Sequence, residues 1–321
     1  MLKTIIVNEN EGIQRIEKFL IKTFPFLTYS QIFKLIRTKE IRVNDVKVQI
    51  GFKIKPKDVI KIWLPKNVNL NKKEHDRDFL KINQSLKIIY EDENIIIIDK
   101  EVNIPCQPIK NSNKISIQEL LLKHMLVTNQ WTQEQSFTPS ICNRLDTNTI
   151  GLVLAAKNGI ALQELNMIFK EREIEKFYKA LVFGLVPNKQ QTEKAYLYKD
   201  SQKKIVKIFS KKLSENYLTI ITEYKLLKHI FNKNMSLLEV KLITGRTHQI
   251  RAHMSYLNHP IVGDHKYGLD IYHEINKKFK HQALHAFKLK FKKLNEFKYP
   301  KLAYLSNKEF CSNQNSWFEK F

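Results

Sequence analysis

The chain has 321 residues, with 55 Lys plus Arg against 32 Asp plus Glu, a formal net charge of +23. A hydrophobic fraction of 43% supplies a real core and excludes a disordered basic tail, and the length suits about two domains. No stretch approaches the ~20 apolar residues of a membrane-spanning helix, so the cation surplus calls for nucleic acid before anionic lipid.

Residues 1–65 read as a separate small module. Arg15–Leu20 has helical spacing, and Ser30 is a plausible N-cap for a second helix with Ile32, Leu35 and Ile36 on one face. Ile41-Arg42-Val43 alternates as a strand, Asn44-Asp45 makes a turn, Val46–Val48 returns, and Asp58–Trp63 closes the module with period-two alternation. The segment carries 13 Lys plus Arg against 6 acids. A basic helix pair followed by basic strands makes a continuous cationic surface, suited to RNA or DNA.

Residues 66–85 lack an apolar period and read as a linker. From Leu86 a larger unit begins with Ile88–Tyr90, an acidic turn and the strand Ile95–Ile98, a hairpin in a buried sheet. Strands and helices then mix through residue 298, which predicts an α+β fold rather than a repeating βαβ wind. Residues 299–321 read as a C-terminal tail. Cys106, Cys142 and Cys311 are odd in number and lack a C-x-x-C pair, which argues against a disulfide framework and fits a reducing cytoplasm.

Of the 55 cations only eight are Arg, and Arg15, Arg37, Arg42, Arg144, Arg246 and Arg251 fall in three short segments. In a chain that otherwise uses Lys, retained Arg marks places where a planar bidentate fork is needed. One such segment is Cys142–Asn158, where Asp146 lies on a loop before the buried strand Gly151–Ala156 and Asn158 can cap the helix that follows. Asp146 is the only acid between Glu134 and Glu164. Read alone, it better suits a turn aspartate that satisfies backbone N–H groups, with Arg144 as its surface partner. The other is Thr244–Met254, continuing through His259–Gly268. Seven of the ten histidines fall between His248 and His285, but His281 and His285 enclose no catalytic Glu and the spacings suit no metal.

Together these segments resemble the RluA family of pseudouridine synthases. The matching elements are Asn143-Arg144-Leu145-Asp146-Thr147 through Lys157, Lys176-Phe177-Tyr178 with Ala180–Gly184, Gly245-Arg246-Thr247-His248-Gln249-Ile250-Arg251-Ala252-His253 with His259–Gly268, and Gln282–Ala286. The resemblance spans about residues 86–293 and implies a pseudouridine synthase fold, a mixed and largely antiparallel central sheet with flanking helices. The N-terminal module resembles the α-L RNA-binding domain of a small-subunit ribosomal protein, with Thr38-Lys39 where that domain often carries glycine.

The resemblance implies uridine isomerisation with Asp146 as the acting carboxylate, Arg246 as the arginine that pairs with it, and Tyr178 packed on the extruded uracil. Arg144 is similar to the residue that fills the vacated stack. RNA contacts are expected from Arg15, Arg37, Lys39, Arg42 and Lys47 in the module and from Arg144 and Arg251 in the larger domain. Neither a metal nor a cofactor is expected, and the resemblance points to a cytoplasmic monomer acting on ribosomal RNA of the large subunit, with transfer RNA as the alternative. Three departures, Asn143 for His, Ile150 for Ser, and Asp99–Gln107 in place of N-K-P-x-G-x-x-x-H, leave a second reading: an RNA-binding assembly factor that holds ribosomal RNA unmodified. A DNA-binding regulator lacks a visible recognition helix with a dimer seam.

Overall fold

The computed structural model describes every residue except 9, 10, 12, 25, 66–78, 134, 188, 189, 201 and 204. The first 64 residues form their own core. In chain order they run β1 (Leu2–Ile6), β2 (Gln14–Arg15), α1 (Ile16–Thr23), α2 (Tyr29–Arg37), β3 (Ile41–Val43), β4 (Val46–Lys47), β5 (Lys53–Ile54) and β6 (Val59–Trp63). A four-stranded sheet in the order β1-β6-β3-β4 packs its inward Ile41, Ile60 and Ile62 against Phe19, Leu20, Ile32 and Ile36 of the helices. Alternation in β6 buries Ile60 and Ile62 and leaves Lys61 on the outer face.

Helix α2 starts earlier than the sequence suggests. Its N-cap is Thr28, not Ser30: the Thr28 hydroxyl accepts from Gln31 N–H while the Gln31 side chain accepts from Thr28 N–H at 2.8 Å, a closed capping box worth about 1 kcal/mol. At the other end Lys39 adopts φ 62°, the left-handed cap conformation that a glycine takes without strain. Asn44 and Asp45, at φ 49° and 65°, make the tight hairpin turn between β3 and β4.

The larger domain contains β7 (Ile88–Glu91), β8 (Ile95–Lys100), α3 (Ile117–Val127), β9 (Ser140–Ile141), β10 (Ile150–Ala156), α4 (Gly159–Glu171), β11 (Ile174–Phe183), β12 (Gln190–Asp200), β13 (Ile205–Phe209), β14 (Leu218–Ile230), β15 (Met235–Leu242), α5 (Gln249–Tyr256), α6 (His273–Asn276), β16 (Leu284–Phe291) and β17 (Glu309–Cys311). Its sheet runs β13-β12-β14-β15-β11-β16-β10-β8-β7, with β17 on β16 and β9 on β10. Every named pairing is antiparallel except β10 with β16. The Ile run of β8 is explained by burial on both faces. Ile96 and Ile98 join the core with α3 and Tyr178, whereas Ile95 and Ile97 join Leu165 and Ile168 of α4.

The parallel contact depends on Gly151, at φ 116°, where a Cβ would stand 2.2 Å from the Ala286 carbonyl oxygen. As expected, the Asn158 side chain caps α4, accepting from Ala161 N–H at 2.8 Å.

Two domain boundaries differ from the sequence reading. Most of the expected linker, 66–78, lies outside the described residues, but Phe79 is buried in the main core and Lys123 Nζ donates to the carbonyls of Ile82 and Gln84. The expected tail at 299–321 is part of the domain. Tyr299, Leu302, Leu305 and Phe318 are buried, and the Asp99 carboxylate accepts from the Ser312 hydroxyl, Asn313 N–H and the Gln314 amide. Aromatic anchors without a period are invisible to pattern reading. The buried Glu11 carboxylate connects the two domains, accepting from Ser136 N–H at 2.9 Å, and Gln163 donates to the Ile13 carbonyl.

Candidate active site

A cleft of about 1420 Å³ lies over the loop that enters β10, the start of β11 and the start of α5, with Asp146, Tyr178, Arg246 and Arg251 in its lining. Asp146 sits on the loop entering β10, and that loop is tied from several sides. Thr149 N–H donates to the Asp146 carbonyl, Gln282 donates to the Thr149 hydroxyl at 2.8 Å, and Lys100 donates to the Thr147 carbonyl at 2.9 Å. Lys100 is fully buried at the end of β8. Burial pulls its ammonium down to about 8, against the opposing pull of Cys106 and Asp146.

The arginine that holds Asp146 is Arg251, not Arg246. Arg251 Nη1 donates to Asp146 Oδ2 at 2.6 Å, while its Nε and Nη2 donate to the two oxygens of Asp264 at 2.7 and 2.9 Å. Asp264 also accepts from Lys266 and Tyr267 N–H. Burial alone would raise the Asp264 carboxyl, but the Arg251 hydrogen bonds and charge and these two amides outweigh it and hold it below the usual range. Burial likewise acts to lower the Arg251 guanidinium, and the two carboxylates reverse it and push it above its ordinary value. The sequence reading puts Arg251 on RNA; its planar fork is instead committed to two carboxylates.

Arg246 precedes α5 and is exposed at the cleft. Its backbone N–H donates to Gln249 Oε1, and its side chain has no hydrogen bond among the described residues. The helix begins at Gln249, so Arg251 falls on its first turn and faces inward, whereas Arg246 belongs to the turn before it.

Tyr178 lies on β11, where the register against β16 shifts between Phe177 and Lys179. The bulge re-aims the side chain toward the cleft floor. Burial first, and the charge of Asp146 second, push its phenol well above the usual value, so it stays neutral. Arg144 is exposed on the rim, and its Nη1 donates to Gln107 at 3.2 Å.

Two of the residues that depart from the family pattern, Asn143 and Asn103, have structural explanations. Asn143 donates to the Leu152 carbonyl and accepts from Leu154 N–H at 2.7 Å, filling the edge of β10 between its pairings with β16 and β9. Asn103, which stands where the family has glycine, adopts φ 67°, a conformation asparagine tolerates. Ile150 opens β10 opposite His285.

In the N-terminal domain Arg15, Arg37, Lys39 and Lys47 are exposed, and Arg42 lies with its guanidinium 5.1 Å from the Trp63 ring centre. Arg42 pairs across the sheet with Lys47 and Lys61, which forms a basic stripe. The histidines do not converge: His253 meets the Thr222 hydroxyl, His259 the Phe183 carbonyl and His265 the Phe279 carbonyl. Among the described residues no group of three or more His, Cys, Asp or Glu is placed to hold a metal, and no helix is long and apolar enough to cross a membrane.

Sequence reasoning missed Asp264, His248, Lys100 and Gln107. Asp264 could have been found as the one acid that directly follows the apolar run Pro260–Gly263.

Residues 94–256 match the family model described as RNA pseudouridylate synthase. The chain is 39% identical over 320 residues to an RNA pseudouridine synthase of Mycoplasma genitalium, covering 99% of this chain and 97% of that one. It is 34% identical to ribosomal large subunit pseudouridine synthase C of Rickettsia felis, covering 88% and 90%. Among solved structures, human RNA pseudouridylate synthase domain containing 4 shares the fold, with a TM-score of 0.56 at 20% identity, covering 72% of this chain and 90% of that one. A sequence match that runs the length of the chain, over a cleft whose aspartate is held by arginine, makes the protein a member of the RluA family of RNA pseudouridine synthases.

Proposed function

We infer that the enzyme isomerises uridines of large-subunit ribosomal RNA, with Asp146 as the acting carboxylate. The observation that carries the catalytic reading is the Asp146–Arg251–Asp264 chain at the floor of the cleft. Arg251 fixes Asp146 Oδ2, and no hydrogen bond among the described residues holds Oδ1. The reaction breaks the bond between ribose C1′ and uracil N1, turns the base, joins C5 to C1′, removes the C5 proton and returns one to N1. Water is not consumed, and the departing base is also the returning nucleophile. One positioned carboxylate therefore suffices where a glycosidase needs two.

Oδ1 serves equally for attack at C1′ or for removal of a ribose proton. In this reading the neutral ring of Tyr178 takes the uracil on its face, and the exposed Arg144 at the rim enters the RNA stack as the target leaves it. The bulk positive charge draws in the substrate, and the stripe of Arg42, Lys47 and Lys61 lies along one face of the N-terminal sheet. Ribosomal RNA is favoured by the names of relatives such as the Rickettsia felis synthase. Mapping pseudouridines in total RNA with and without the gene tests both parts: lost sites in large-subunit RNA are expected, lost sites in transfer RNA would reassign the substrate, and no lost site would return the assembly-factor reading.

A further inference from the structure

Asp146 has a second neighbour that this chemistry does not use. His248 Nε2 stands 3.8 Å from Asp146 Oδ1, the oxygen that Arg251 leaves open. On the other side of the ring, His248 Nδ1 lies 2.8 Å from the Tyr267 hydroxyl. That hydroxyl already accepts from Val206 N–H at 3.1 Å. Its single proton has one bonded acceptor among the described residues, His248 Nδ1, and leaving a part-buried hydroxyl proton unpaired is unfavourable. Donation from Tyr267 to Nδ1 leaves the ring proton on Nε2, directed at Asp146.

Two further features fit this arrangement. His248 holds φ 53° at the start of α5, a left-handed backbone uncommon outside glycine, so the chain departs from ordinary geometry where the ring is aimed. Tyr267 also lies under Arg251, whose guanidinium carbon is 5.3 Å from the ring centre, so one tyrosine supports both neighbours of Asp146. Burial pushes the imidazole below its usual value, with Arg251 and Lys266 acting the same way and Asp146 and Asp264 against them.

We propose that His248, fixed by Tyr267 as the neutral Nε2–H tautomer, is a positioning residue for Asp146: when RNA fills the cleft its Nε2–H closes onto Oδ1 and sets the carboxylate's plane toward the ribose. A gap of 3.8 Å is longer than a hydrogen bond, and such contacts shorten when substrate expels water. A neutral donor orients the carboxylate and leaves its negative charge available for reaction. The proposal rests on Asp146 being the acting carboxylate.

The test is single-turnover isomerisation of a target RNA fragment by the full-length enzyme, with RNA affinity measured in parallel. His248→Ala is expected to slow the reaction about 10–100-fold with RNA affinity within about twofold, because orienting groups one step from the reacting atoms act at this scale. His248→Gln, whose amide nitrogen falls near Nε2, should recover most of the rate, and His248→Asn, whose amide falls near Nδ1, should not. Tyr267→Phe should slow the reaction about 5–10-fold, and long-range proton–nitrogen correlations should show the His248 tautomer becoming mixed. A wild-type rate for His248→Ala, or Gln no better than Asn, overturns the proposal. Asp146→Asn run beside them separates the two claims: if it retains activity the catalytic reading fails, and if it is inactive while His248→Ala is not, only the His248 role fails.

Discussion

The two domains use the same residue type in opposite ways. In the N-terminal sheet Arg42 and Lys47 stand side by side, with Arg15, Arg37 and Lys39 exposed around them, and among the described residues no carboxylate forms an ion pair with these five. At the cleft floor Arg251 is mostly buried and committed to Asp146 and Asp264. Exposed cations attract phosphate over distance and are screened by salt. A buried arginine between two carboxylates contributes little to attraction and holds an oxygen in place. Neither composition nor net charge separates these roles; placement does.

The sharpest test of the comparison is Asp146→Asn. The amide is close in size and keeps an oxygen for Arg251, so folding and RNA affinity should hold while single-turnover isomerisation falls by at least about 10³-fold, a loss of about 4 kcal/mol in transition-state stabilisation. Product formed at a rate near wild type would sink the assignment.

Next come the two arginines, five positions apart. Arg251→Lys leaves one ammonium that cannot span Asp146 and Asp264 together, and the rate of the chemical step should fall about 10²-fold. Arg246→Lys keeps an exposed cation at the cleft, and its effect should appear in RNA binding, less than about fivefold. Equal losses in the chemical step would mean that the pairing does not define the catalytic arginine.

In the N-terminal domain the combined change of Arg37, Lys39, Arg42 and Lys47 to Gln should leave the chemical step of bound RNA unchanged. Affinity should fall, and the slope of log affinity against log salt should flatten by about 0.7 for each phosphate that no longer meets a cation. An unchanged slope would place RNA attraction on the catalytic domain alone.

Asp264 gives the comparison a pH dependence. Its folded carboxyl lies below the ordinary 3.8, so it contributes stability at neutral pH that persists above the unfolded value and is lost as pH falls through the lower folded one. Acid unfolding of wild type should therefore steepen below about pH 4. Asp264→Asn should start less stable by about 3 kcal/mol, since Arg251 loses a buried partner, and should show a shallower acid limb. Identical acid limbs would remove Asp264 from the floor's support.

Fold and site are legible in the sequence where local pattern and tertiary role coincide. The isoleucine run of β8, the Asn158 cap and the Asn44-Asp45 turn are set by neighbours in sequence and appear as expected. Asp146 is singled out by the family-like motif around it, since a lone aspartate before a buried strand reads first as a turn residue. The choice between Arg246 and Arg251 is not legible, since it depends on where α5 begins, and the strained His248 that opens it has no sequence signature. Nor is the C-terminal segment, whose attachment comes from Asp99, more than 200 residues away.

The smallest expected effect concerns Asn143, where the family usually has histidine. Its side chain supplies one donor and one acceptor to Leu152 and Leu154, much as a neighbouring strand would, across the interval where β10 has left β16 and not yet met β9. Asn143→Ala strands both backbone groups and should destabilise the fold by about 1–3 kcal/mol, read as a lowered denaturant midpoint. Asn143→Asp keeps the acceptor, loses the donor and adds a charge beside Arg144, so it should lose at least as much. Because Asn143 is neutral and supports the Asp146 loop, the salt slope should stay at its wild-type value in Asn143→Ala. A changed slope with an unchanged midpoint would move Asn143 from the side of the comparison that positions to the side that attracts.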